Sequence, residues 1–107
     1  MSDIFEDRIP PQNIEAEQAV IGAIFLEPSA LTLASELVMP DDFYRAAHQK
    51  IYDCMLNLSD RGEPVDLVTV TSELANLKRL EEVGGVSYLS DIAGSVPTAA
   101  NIEYYAK

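Results

Sequence analysis

Residues 66–77, DLVTVTSELANL, decide the fold class. The run Leu67-Val68-Thr69-Val70-Thr71 alternates and is rich in β-branched residues, which is a strand pattern. Yet Leu67, Val70, Leu74 and Leu77 recur at helical spacing, and Ser72-Glu73-Leu74-Ala75 is helix-forming. Asp66 is suited to cap a helix that starts at Leu67. No second stretch offers this segment a strand partner, and a lone strand is not stable. The segment therefore reads as a helix, and the chain as all-α.

Outward from that segment, the flanks agree. Upstream, Ala47, Ile51, Cys54, Met55 and Leu58 form an i, i+4, i+7 stripe. That helix is expected to open at Asp41-Asp42, to end near Asp60, and to take Gly62 as its left-handed cap. Phe43, Tyr44 and Ile51 are expected in the core. Before it, Asn13 caps a helix from Ile14, with Glu15 and Glu17 suited to its N-terminal dipole. Its apolar positions include Ala16, Ala19, Val20, Ala23 and Ile24. Gly22, inside it, marks either close approach by another helix or a tolerated cost. Pro28 sits in the first turn of a second helix carrying Leu31, Ala34, Leu37 and Val38, which Pro40 ends. Downstream, residues 80–83 form a short turn before Gly84-Gly85. Val86, Leu89, Ile92 and Ala93 make a short helix closed by Gly94. Thr98 caps a last helix carrying Ile102, Tyr105 and Ala106. That pattern is still running at Lys107, so the chain reads as cut from something longer. The expected architecture is a compact bundle of about six short helices. Residues 1–12 form an extended arm around Pro10-Pro11, 13–97 a globular head, and 98–107 the start of a further helix.

Composition narrows the function. The chain has 107 residues, enough for one domain, with 48% hydrophobic residues. Seven Lys and Arg against 18 Asp and Glu give a formal net charge of −11. Phosphate binding draws its affinity from cations, so direct DNA contact is not expected, whereas the acidity suits a surface that meets a basic protein. Acidity also simply favours solubility. The lone Cys54 excludes an internal disulfide and reads as a small core residue in a cytoplasmic protein. No membrane-spanning run and no secretory signal is expected.

Motifs for chemistry are lacking. There is no GxxxxGK[ST] loop, and Gly84-Gly85 reads as helix punctuation. His48 and Cys54 alone make no metal site, and His48 reads as a capped or partly buried imidazole. The acid pairs Asp41-Asp42 and Glu81-Glu82 point in different directions on a helix. No catalytic, metal or cofactor residue is assigned, and the chain is not expected to be an enzyme.

Five stretches together carry a resemblance: residues 9–18 (IPPQNIEAEQ), 42–52 (DFYRAAHQKIY), 62–70 (GEPVDLVTV), 84–89 (GGVSYL) and 96–102 (VPTAANI). In this order and spacing they resemble the N-terminal domain of replicative DNA helicases of the DnaB type, in its Gram-positive form. The resemblance implies a helical, non-catalytic collar domain ahead of an ATP- and Mg-dependent, DNA-unwinding motor. It implies assembly with other helicase subunits into a dimer or hexamer collar, docking of the C-terminal helicase-binding domain of primase, contact with a helicase loader, and cytoplasmic work at the replication fork. A helical hairpin would begin within 98–107. The alternatives are a stand-alone acidic interaction domain and a small nucleic-acid-binding helical domain. The contact candidates are Glu15, Glu17, Tyr88, Tyr104 and Tyr105. Tyr88 either meets a partner or packs its ring on the core with the hydroxyl in water. Glu15 and Glu17 either meet a basic partner or serve as surface residues that compensate the helix dipole. Of Tyr104 and Tyr105, one is expected against the head and the other against a neighbouring subunit.

Overall fold

The computed structural model describes residues 13–94. They form five α-helices: α1 Ile14–Leu26, α2 Ala30–Leu37, α3 Ala46–Asp60, α4 Leu67–Asn76 and α5 Gly85–Ala93. Single 3-10 turns at Pro40–Asp42 and Glu81–Val83 precede α3 and α5. No strand occurs among the described residues, which are all-helical as expected. The arm over 1–12 and the last helix expected from Ala99 lie outside the described residues.

The contested segment is helix α4. Its start is fixed by a reciprocal capping box. The Asp66 carboxylate accepts the Thr69 amide at 2.8 Å, and the Thr69 hydroxyl accepts the Asp66 amide at 2.9 Å. The alternating valines do not share a face, as a strand would require. Val70 is fully buried while Val68 is 73% exposed. Helical spacing then places Leu74 beneath Val70 in the core.

Helix ends follow one device used repeatedly. After α3, Glu63 N–H donates to Leu58 C=O at 2.9 Å and Gly62 N–H to Ser59 C=O at 3.0 Å. Gly62 adopts φ +74° to permit this. After α4 the same pair of bonds forms from Arg79 to Leu74 and from Lys78 to Ala75. There the left-handed position is held by Lys78 at φ +61°, a conformation that costs a residue with a Cβ. Gly84, at φ +104°, has a stricter requirement, because an added Cβ would lie 2.8 Å from Tyr88 Cβ. The Gly84-Gly85 pair thus sets the tight entry into α5.

The entry to α3 departs from the sequence expectation. Asp41 and Asp42 do not open α3. They belong to the 3-10 turn, where the Asp42 carboxylate accepts the Met39 amide at 2.8 Å. Phe43 to Arg45 form a link before the helix begins at Ala46. Successive residues of an extended link face opposite sides. Phe43 therefore turns inward, 1% exposed, while Tyr44 is 60% exposed and is not a core residue as expected.

The core is one cluster. Val20, Ile21 and Ile24 of α1, Leu31 and Ala34 of α2, Ile51, Tyr52, Met55 and Leu58 of α3, and Leu89 and Ile92 of α5 all bury in it. Helix α3 packs against α1, α2 and α4, and α5 lies across α1 and α4. Phe43 and Tyr52 pack ring to ring at 5.0 Å, and the Tyr52 hydroxyl donates to Val38 C=O at 2.9 Å, tying α3 to the end of α2. Cys54 is buried as expected, and burial pushes its thiol up to about 11. Gly22 is buried within α1.

Candidate functional site

Among the buried residues described, Glu17 and His48 are the polar or charged ones outside the hydrophobic cluster, and both are completely buried. They touch. Glu17 Oε1 lies 2.7 Å from His48 Nδ1, and His48 Nε2 lies 2.7 Å from the Tyr88 hydroxyl. Three helices meet here, since Glu17 is on α1, His48 on α3 and Tyr88 on α5.

Helical period explains each placement. Glu17 stands three, four and seven residues before Val20, Ile21 and Ile24, on the buried stripe of α1. His48 stands three, four and seven residues before Ile51, Tyr52 and Met55 on α3. Tyr88 leans over Gly84 and packs its ring parallel to His48, with an interplanar angle of 8° and centroids 5.9 Å apart.

The donors and acceptors fix the direction of the chain of bonds. The Tyr88 oxygen accepts from Gln18 Nε2 at 3.1 Å and from Arg45 Nη1 at 3.4 Å. Its own proton then points to His48 Nε2, which must be the unprotonated ring nitrogen. The imidazole proton sits on Nδ1 and donates to Glu17 Oε1, a charge-assisted bond in a dry site. The second Glu17 oxygen accepts the Tyr44 amide at 2.5 Å, while Oε1 also lies 3.4 Å from the Arg45 amide. One carboxylate thereby serves the backbone just ahead of α3 and the side chain of its third residue. Burial holds His48 below the ordinary imidazole range, the Glu17 bond and charge oppose that, and the Arg45 cation adds to it. The ring is thus neutral at pH 7, matching the bond directions.

This geometry corrects the reading of Glu17. It faces neither a partner nor solvent, because it is completely buried and accepts from the Tyr44 amide and His48. Glu15 is exposed in the first turn of α1, as a contact residue must be. Tyr88 is partly buried against the core, and its hydroxyl hydrogen-bonds to His48, Gln18 and Arg45. Arg45 lies over the Tyr88 ring, its Cζ 5.5 Å from the centroid, and is exposed. His48 and Arg45 were not singled out as site residues from sequence. For His48 the stripe it shares with Ile51, Tyr52 and Met55 was the available signal. Tyr104 and Tyr105 lie outside the described residues. No cluster of three or more His, Cys, Asp or Glu able to hold a metal occurs among the described residues. No described helix is long and apolar enough to cross a membrane.

Fold and site define a small all-helical domain whose buried polar cluster ties three helices together. A family model for the DnaB-like helicase N-terminal domain matches residues 9–107. The chain belongs to this family. It is 79% identical over its full length to the replicative DNA helicase DnaC of Bacillus subtilis, and 69% identical to the replicative DNA helicase DnaB of Geobacillus stearothermophilus. It spans 24% of the length of each of these relatives. Among solved structures it is similar to the N-terminal domain of DnaB helicase from Mycobacterium tuberculosis, with TM-score 0.86 and 48% identity over 90% of this chain and 67% of that one.

Proposed function

We propose that this domain is the non-catalytic N-terminal collar of a replicative DNA helicase. It acts in assembly of the hexameric ring and docks the C-terminal helicase-binding domain of primase, with a helicase loader as a further partner. The observation that carries the reading is the match in fold and sequence to a DnaB N-terminal domain over nearly all of the chain. The parent protein is an ATP-dependent DNA-unwinding motor at the replication fork in the cytoplasm, with ATP and Mg bound by its motor domain. The net charge of −11 disfavours contact between this domain and DNA and suits a basic protein surface. Tyr88, with Arg45 over its ring, and Glu15 form the docking side, while one of Tyr104 and Tyr105 serves subunit contact.

An NMR titration of the labelled domain with the helicase-binding domain of primase tests this. The expected outcome is saturable shifts clustered on Tyr88, Arg45 and neighbouring α5 residues. Absence of shifts at high partner concentration would remove primase docking from the functions of this domain.

A further inference from the structure

The surface around Tyr88 is built from below. Its ring lies parallel to a completely buried imidazole. Its hydroxyl closes a chain that ends on a completely buried carboxylate. Arg45 uses the same ring twice, with Nη1 3.4 Å from the hydroxyl and Cζ 5.5 Å from the centroid. The Glu17 carboxylate also takes the Tyr44 and Arg45 amides, so it fixes the backbone that carries the guanidinium. Tyr and Arg are the side chains that most often anchor protein interfaces, and an anchor fixed before encounter loses less freedom on binding.

Resting on the docking reading above, we propose that Glu17 and His48 are positioning residues for the partner contact. Out of a partner's reach themselves, they set the orientation of Tyr88 and Arg45 through the directed bonds of the relay. The groups that face His48 are Glu17 from α1, Tyr88 from α5, Arg45 from the link before α3, and the edge of the Phe43 ring at 6.4 Å. Glu17 supplies the full negative charge in this set. It therefore dictates that the ring proton stays on Nδ1 and that Nε2 remains an acceptor for Tyr88.

Glu17→Gln tests this without a change of shape. Its amide accepts the Tyr44 N–H through oxygen and offers an N–H to His48 Nδ1. The ring proton must then move to Nε2, where it faces a Tyr88 oxygen already holding two donors. The expected results are three. The His48 nitrogen shifts exchange between the two tautomer patterns in NMR. Affinity for the helicase-binding domain of primase, by calorimetry, falls about fivefold to tenfold, the size of one lost hydrogen bond. The effect is not additive with Tyr88→Phe, which cuts the relay at its surface end. A variant that moves the proton yet binds like the parent overturns the proposal, as does simple additivity with Tyr88→Phe. If Glu17→Gln fails to fold, Tyr88→Phe alone decides, with unchanged affinity the overturning result. If the parent domain does not bind the primase domain, the docking reading fails instead. The Tyr88 side-chain couplings then settle positioning, which falls if they are the same in Glu17→Gln as in the parent.

Discussion

Helices α4 and α3 begin in opposite ways. The start of α4 is sealed within four residues, by Asp66 and Thr69 exchanging amide bonds. The start of α3 has no side-chain cap of its own. The amides ahead of it are taken by Glu17, 27 and 28 residues earlier in the chain. A local cap works in any context that lets the turn form. A remote cap exists only when α1 and α3 are already packed, so it couples the helix start to the tertiary fold. The difference teaches where this domain is autonomous and where it is cooperative.

Removing the remote cap should have the largest effect. Glu17→Ala strands the Tyr44 amide and the His48 Nδ1–H in a dry site, and we expect a loss of about 3 kcal/mol by denaturant unfolding. A loss no greater than that of an ordinary cap would erase the contrast between the two helices. Titration weakens the same site by another route. His48 is held below its ordinary 6.5 in the fold, so the unfolded chain binds the proton first. Its contribution to stability is complete above 6.5 and is lost as pH falls through 6.5 towards the lowered folded value. Unfolding midpoints measured between pH 8 and 5 should show this acid-side loss, and His48→Gln should flatten it. A slope that persists unchanged in His48→Gln would assign it to other groups.

The local cap should matter less. Asp66→Ala is expected to cost about 1 kcal/mol, with the rest of the fold unchanged by NMR. The smallest expected effect has the opposite sign. Lys78→Gly relieves a left-handed lysine at the end of α4 and should stabilise by about 0.5 kcal/mol, discounted for the added freedom of the unfolded chain. Destabilisation by Lys78→Gly would mean that the lysine side chain contributes more than its backbone strain removes.

The same division governs what could be read in advance. The helical character of residues 67–76, the stop at Asp60 with Gly62, the Asp66 cap and the turn at Gly84-Gly85 were all legible, because each is written within a few neighbouring residues. The start of α3 was misplaced to Asp41-Asp42 because two acids after a proline are the usual mark of a helix start, and here they cap a 3-10 turn instead. Tyr44 was placed inside because large aromatics usually are, but the link that turns Phe43 inward turns its neighbour outward. Glu17 reads in the sequence as an exposed acid, for a basic partner or for the helix dipole, although it stands on the buried stripe of α1. Residue type alone argued for solvent, since the groups that neutralise it lie far along the chain.

By itself the sequence determined that this chain is helical, where four of its five described helices start or stop, and the family to which it belongs. Those properties rest on short-range backbone bonding and on a hydrophobic period that each segment carries alone. Only the tertiary structure decided that Glu17, His48 and Tyr88 form one relay. Its two links join residues 31 and 40 positions apart. A buried carboxylate is tolerable only where packing delivers donors to it, and no local pattern states which donors those will be.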